Sequence, residues 1–159
     1  NVGLAVRDGD EMVYLESVRF NPKGRERSVV SGHRVPIALT ALGRAWLAVA
    51  PADERVALMA QWRTRRRSRW RRLEADIAAA GHSVSEKGYC VASWQPQVVA
   101  LATPLVLPRR PVHALNVSVT TDKSAAAVVR QLERPLLTLA AELRDSIAEL
   151  DRAAGTGHG

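Results

Sequence analysis

The residues best suited to ligand chemistry lie in one predicted strand, residues 112–120. Side chains alternate across a strand, so small and polar side chains share one of its faces and apolar side chains share the other. The polar face comprises Ala114, Asn116, Ser118 and Thr120, and the apolar face, which belongs on the core, comprises Leu115, Val117 and Val119. Small polar groups leave room for a ligand and can orient it by hydrogen bonds. A face exposed only to solvent is the alternative interpretation.

Residue types that perform catalysis are present, but their spacing does not favour it. The four histidines, His33, His82, His113 and His158, are far apart, and none belongs to a metal-binding spacing such as His-Glu-x-x-His. His33 lies near Ser31, but nothing nearby would supply an oxyanion hole or an orienting acid. The sequence has no glycine-rich phosphate loop. We therefore predict no catalytic residue, no metal site and no cofactor, and we predict that the chain is not an enzyme.

The net charge of +7 comes from one short segment. Seven arginines fall within ten residues: Arg63, Arg65, Arg66, Arg67, Arg69, Arg71 and Arg72. Without these seven, 16 of the 23 basic residues remain, against 16 acidic residues. The segment could bind phosphate groups or contact another subunit. A solvated linker leading into a helix is the interpretation that we favour from the sequence.

Cysteine content and hydropathy define the class of protein. The single cysteine, Cys90, excludes an internal disulfide bond and is typical of a reducing compartment. Its apolar neighbours indicate a small core residue rather than a reactive thiol. The 47% apolar content excludes a disordered chain. No apolar run approaches the roughly 18 residues of a membrane span. We predict a folded, cytoplasmic protein that does not enter a membrane.

Strand patterns predict two hairpins. Runs at 2–6 and 12–20 flank Asp8-Gly9-Asp10, a strong turn signal. Residues 97–107 and 112–120 flank a second turn, and the first of these strands would place Val98, Ala100 and Ala102 on one face. The two hairpins predict a central antiparallel sheet in an α+β domain.

Helical patterns predict the remaining elements. Helices are expected at 36–50, from about residue 53, at 70–87 and at 124–153, the last of these long. In the second helix, we predict that Val56, Met59 and Ala60 form the buried stripe. The domain is predicted to cover residues 1–153, followed by a disordered tail at 154–159.

The helix predicted at 36–50 carries the most distinctive pattern. Pro36 is expected at its first position, and Ala41, Gly43 and Ala45 would leave bare backbone for close packing or for a ligand. The stretch from Gly32 to Ala48 resembles the "G-x-R-x-P…T-A-x-G-x-A-x-L-A" signature of the effector-binding domain of IclR-type transcriptional regulators. Further matching pieces follow in the same order along almost the whole chain: DGDEMVYLE, GYC, WQPQVVALATPL and ALNVSV.

The resemblance implies a fold and a function. IclR-type domains have a GAF-like fold, bind a small metabolite, form dimers or tetramers, and regulate a winged helix-turn-helix domain. That domain would precede Asn1, and the protein would contact DNA only through it. The chain would then be an effector-binding and oligomerisation domain. The alternatives are a small enzyme on a GAF-like scaffold and a module for oligomerisation alone.

The resemblance also implies a ligand site. Its positions correspond to Thr40, Ala41, Leu42, Ala100, Asn116 and Ser118. An acidic contact of the family has no counterpart after Gly88-Tyr89, where Ala92, Ser93 and Trp94 stand instead. We include Ser93 and Trp94 in the predicted ligand site, which then has eight residues. Because Trp94 would add an aromatic wall, we expect an aromatic or larger organic acid, with its carboxylate at the helix N-terminal N–H groups of residues 37–39.

Overall fold

Within residues 1–19, 28–29 and 31–156, which this computed structural model describes, seven strands form one antiparallel sheet beside four helices. Only the backbone is described at 28–29 and 155–156. The strands are β1 (Val2–Asp8), β2 (Glu11–Arg19), β3 (Ser28–Val29), β4 (Arg34–Pro36), β5 (Cys90–Ala92), β6 (Val98–Leu105) and β7 (His113–Thr120). The helices are α1 (Ala41–Val49), α2 (Ala52–Arg65), α3 (Trp70–Lys87) and α4 (Ala125–Thr156). The predicted α+β architecture with a long C-terminal helix is confirmed.

The sheet joins the two predicted hairpins edge to edge. Its order is β3-β2-β1-β7-β6-β5, and β4 also pairs with β2. The junction is the pairing of β1 with β7, which places Gly3 opposite Asn116 and Ala5 opposite Ala114. The first and the last strand of the chain therefore lie side by side at the centre of the sheet.

The two faces of the sheet are covered by different helices. Helix α4 packs Val128, Leu136 and Ala140 against Leu101 and Leu115 on one face. On the other face, α1 packs small side chains against small side chains, namely Ala41 and Ala45 against Ala100 and Ala102. Helix α3 covers α1 from outside with Ala80 and Val84. The alternation predicted for 97–107 and 112–120 thus separates the core beneath α4 from the surface that faces α1.

Helix α1 begins at Ala41, so the prediction that Pro36 would start it was wrong. Pro36 is the last residue of β4, where it pairs with Glu11. Thr40 is the N-cap, because its hydroxyl accepts a hydrogen bond from the Gly43 N–H at 3.0 Å. A Cβ atom at Gly43 would collide with the backbone of Ile37. The glycine therefore serves close packing between this turn and the helix.

Helix α3 has the boundaries that the sequence predicts, whereas α2 buries a different face from the predicted one. The residue that caps the C-terminus of α3, Gly88, adopts the left-handed conformation with φ of 82°. In α2 the buried residues are Leu58 and Trp62, whereas Val56 is 66% exposed. The prediction was wrong for Val56 and Ala60, which are exposed, because the large Trp62, one turn after Leu58, turns a different face of the helix toward the core. Met59 is partly buried against the same core cluster, as predicted.

The C-terminal helix extends slightly further than expected. Helix α4 continues to Thr156, so residues 154–156 of the predicted tail are helical, and 157–159 lie outside the described residues.

In the described part of the chain, no helix combines the length and the apolar character needed to cross a membrane.

Candidate functional site

A cavity of about 710 Å³ lies between the N-terminus of α1 and the polar side of the sheet. Seven of the eight residues predicted for the ligand site line it: Thr40, Ala41, Leu42, Trp94, Ala100, Asn116 and Ser118. The eighth, Ser93, is exposed and is not part of this lining. Trp94 lies at the boundary of the cavity with 40% of its surface exposed. The structure therefore brings the residues of helix α1, the β5–β6 loop and the second hairpin together around one space.

The N-terminus of α1 supplies hydrogen-bond donors to this space. The Thr40 hydroxyl is occupied, because it also donates to the Pro36 carbonyl at 2.9 Å while it caps Gly43. Among the described residues, no acceptor pairs with the backbone N–H groups of Ala41 and Leu42. The first turn of a helix leaves such groups free, and they favour an anion. The donors lie at Ala41 and Leu42 rather than at the predicted 37–39, because the helix starts later.

A β-bulge in β2 places two further polar residues at the cavity. The register of β1 with β2 shifts between Leu4, opposite Glu16, and Ala5, opposite Tyr14. The extra residue in β2 brings Tyr14 and Ser17, three positions apart, to the same cavity, whereas regular alternation would separate them. Simple periodicity therefore could not identify both residues.

Asn116 is the buried polar centre of the site. Its side chain is 3% exposed, and among the described residues its Oδ1 atom has no hydrogen-bond partner. The ring of Tyr14 and the Asn116 side chain both lie so close to Gly3 that a Cβ atom at this position would collide with them. An unpaired buried carbonyl oxygen loses solvation without compensation, which costs about 1–3 kcal/mol. The site therefore contains an acceptor that a bound donor group would satisfy.

The charges at the cavity favour an anionic ligand. Its described lining includes Arg19 and His33 and no aspartate or glutamate. Burial raises the pKa of Tyr14, and a smaller effect of the Asn116 side chain lowers it. The Tyr14 phenol is therefore neutral near pH 7 and can donate a hydrogen bond. His33 stacks on Tyr14, with the ring centroids 6.2 Å apart. Four residues of this lining were not among the predicted ligand contacts: Tyr14, Ser17, Arg19 and His33.

Cys90 lies behind α1 and is not a reactive group. Its thiol is buried and donates to the Ala41 carbonyl, with the sulfur and oxygen 3.3 Å apart. Burial raises the pKa of the Cys90 thiol to about 12. This supports the interpretation of Cys90 as a small core residue. No cluster of three or more histidine, cysteine or acidic side chains that could hold a metal ion occurs in the described part of the chain.

Known structures share this fold. The chain superposes on an IclR family transcriptional regulator from Brucella abortus with a TM-score of 0.79 and 27% identity, over 92% of this chain and 56% of that one. It also superposes on a double mutant of the inducer-binding domain of the PobR transcription factor from Acinetobacter, solved in complex with 3-hydroxybenzoic acid. The TM-score is 0.66 at 21% identity, over 90% of this chain and 86% of that one. The C-terminal domain of the Escherichia coli regulator KdgR gives a TM-score of 0.64 at 18% identity, over 91% and 85%.

Sequence comparison assigns the family. No curated protein sequence matches the chain. The profile of the family described as "Bacterial transcriptional regulator IclR C-terminal" matches residues 1–145. The chain spans little more than half the length of the Brucella regulator. The family and the structural neighbours are domains of regulators, which excludes the alternative of a small enzyme. This chain therefore belongs to the IclR family of bacterial transcriptional regulators, as a C-terminal domain of that family.

Proposed function

We propose that this domain senses a small organic acid, which binds in the cavity at the N-terminus of α1. The observation that carries the proposal is the unpaired, buried Oδ1 atom of Asn116 inside a cavity whose described lining holds no carboxylate. A buried acceptor and a cationic environment together select a ligand that has both a donor group and a negative charge.

The carboxylate of the ligand would bind at one end of the cavity. The free N–H groups of Ala41 and Leu42 lie at the positive end of the α1 dipole. Arg19, from the end of β2, contributes a positive charge that would attract the carboxylate. The predicted sites at Thr40, Ala41 and Leu42 are thus proposed to act through the helix backbone, since the Thr40 hydroxyl already bonds to Pro36 and Gly43.

The donor group of the ligand would reach Asn116. A hydroxyl that donates to Oδ1 would remove the cost of the unpaired acceptor, and Ser118 and Tyr14 border the same space. The volume of about 710 Å³ lies in the range of about 300–1,000 Å³ typical of small-molecule sites. Together with Trp94 at the boundary, this space favours an aromatic hydroxy acid. A double mutant of the inducer-binding domain from Acinetobacter was solved with such a compound, 3-hydroxybenzoic acid.

The test compares three compounds by calorimetry. We expect 3-hydroxybenzoate to bind more tightly than benzoate, which lacks the donor, and more tightly than 3-hydroxybenzyl alcohol, which lacks the carboxylate. The preference over benzoate should be about 0.5–1.5 kcal/mol, the net value of one hydrogen bond. Asn116→Ala should abolish this preference while retaining the preference over the alcohol. If neither these compounds nor a wider set of organic acids binds saturably, the alternative of a module for oligomerisation alone is favoured.

Properties of the whole protein belong to the same proposal. We propose that it acts in the cytoplasm as a homodimer or homotetramer and contacts DNA through a winged helix-turn-helix domain outside this chain. Self-association is supported by apolar surface on α4, where Leu150 is 68% exposed. Sedimentation at tens of micromolar should give a species larger than a monomer, and a monomer alone would contradict this part of the proposal.

A further inference from the structure

The seven arginines lie at the end of α2, in the turn that follows it and at the start of α3, and we call this segment the arginine corner. It consists of Arg63, Arg65, Arg66, Arg67, Arg69, Arg71 and Arg72, and every one of them is exposed. Arg65 pairs with Asp10 at 3.0 Å. For the other six, no ion pair is present within the described residues. The corner therefore presents six cationic side chains that form no ion pair with the described part of the domain.

The corner is anchored at both ends by buried tryptophans. Trp62 and Trp70 flank it and are buried, 4% and 8% exposed, in the same core cluster as Leu58 and Leu73. Backbone hydrogen bonds connect its turn, from the Arg66 N–H to the Trp62 carbonyl at 2.9 Å and from the Arg69 N–H to the Arg66 carbonyl at 2.9 Å. The interpretation of this segment as a solvated linker leading into a helix agrees with the exposed turn at 66–69 and with the start of α3, whereas Arg63 and Arg65 belong to α2. The two buried tryptophans anchor this turn at both ends.

The N-terminus of α3 lacks the negative charge that would stabilise it. Helix α3 has no side-chain cap at its N-terminus and no acidic residue in its first turn, which instead contains Arg71 and Arg72. Cations next to a helix N-terminus are unfavourable, because the helix dipole is positive there. Like charges so close together also repel each other. An external anion would relieve both effects.

We propose that the arginine corner binds the phosphate backbone of duplex DNA without reading its sequence. Guanidinium groups form paired hydrogen bonds with phosphate oxygens, and duplex DNA presents closely spaced charges of the required sign. A protein partner would require apolar anchors, whereas the residues between Trp62 and Trp70 are all arginine, serine or threonine. The chain belongs to a family of transcriptional regulators, so that DNA is within reach of the whole protein.

The experiment measures binding of a fluorescent duplex of about 20 base pairs, of arbitrary sequence, between about 50 and 200 mM salt. The test variant is Arg66→Gln/Arg67→Gln/Arg71→Gln. The matched control, Arg130→Gln/Arg134→Gln/Arg144→Gln, removes the same charge from exposed positions of α4. We expect the salt dependence of log K to become shallower by about 0.9 for each lost phosphate contact, thus by about 2–3 in the test variant, and to stay unchanged in the control.

Three outcomes would overturn the proposal. The first is an absence of binding by the parent chain at the lowest salt. The second is an equal loss in the test variant and the control, which would indicate net charge rather than the corner. The third is displacement of the duplex by polyglutamate as effectively as by inorganic polyphosphate at equal charge, which would indicate an acidic protein as the partner. Retained thermal unfolding temperatures in both variants would show that the substitutions leave the fold intact.

Discussion

Beneath α4, Leu101 of β6 and Leu115 of β7 are buried against Val128 and Leu136, and apolar side chains fill the space between sheet and helix. On the opposite face, the neighbouring residues of the same strands are Ala100 and Asn116, and a cavity remains between the sheet and α1. The same hydrogen-bonded strands thus support a filled interior and an open site. Because side chains alternate, one face can carry most of the stability while the other keeps space and polar groups for binding.

The largest expected effect is on the α4 face. Leu101→Ala would remove a side chain that is 0% exposed, and we expect the free energy of unfolding to fall by about 2–5 kcal/mol. Urea denaturation measures this loss. Ser118→Ala, on the cavity face, is the comparison and should change the free energy of unfolding by less than about 0.5 kcal/mol. Similar losses in both variants would mean that the two faces of the sheet contribute equally to the free energy of unfolding.

The close approach of α1 to its preceding turn predicts a second effect. Gly43→Ala would force a Cβ atom into the backbone of Ile37, and we expect a loss of about 1–3 kcal/mol in the free energy of unfolding. Gly81→Ala is the matched control, since a Cβ atom at this position in α3 meets nothing within 4 Å. It should stabilise the domain by about 0.4–1 kcal/mol. Thermal unfolding of both variants should therefore shift in opposite directions.

The cap of α1 connects stability with the site. Thr40→Ala removes the acceptor for the Gly43 N–H and should reduce the free energy of unfolding by about 1 kcal/mol. Thr40→Ser keeps the hydroxyl and should retain most of this stability. If the N–H groups of α1 bind the carboxylate, the affinity for 3-hydroxybenzoate should also fall in Thr40→Ala and recover in Thr40→Ser. An equal affinity in Thr40→Ala and Thr40→Ser would indicate that the ligand does not bind at the N-terminus of α1.

The smallest expected effect is confined to binding. Ser118→Ala should weaken the binding of the organic acid by about 0.5–1.5 kcal/mol, which corresponds to one neutral hydrogen bond. Arg109→Ala changes an exposed residue in the β6–β7 turn, outside the described lining of the cavity, and should leave the affinity unchanged. Calorimetry on the two variants measures the difference. Unchanged affinity in Ser118→Ala would place the ligand away from the polar face of β7.

Much of the cavity lining could be predicted because it depends on local patterns. Alternation pointed to Ala100, Asn116 and Ser118, and the resemblance to the family pointed to Thr40, Ala41 and Leu42. Trp94 was predicted from its position where the chain departs from the family, and it also lines the cavity. Tyr14 and Ser17 could not be predicted in this way, because the bulge that brings them together depends on the pairing of β1 with β2. The start of α1 was also misplaced, since Pro36 is held in β4 by its pairing with Glu11.

The sequence by itself determined the elements that have strong periodicity or distinct ends. The two hairpins, the limits of α3 and the side of β7 that faces the core all follow from the order of apolar and polar residues. Only the tertiary structure decided which residues meet across the chain. It joined β1 to β7, turned α2 to bury Trp62, and fixed the arginine segment between two buried tryptophans. Local patterns record the preference of a segment for core or solvent, whereas contacts between distant segments depend on how all the faces pack together.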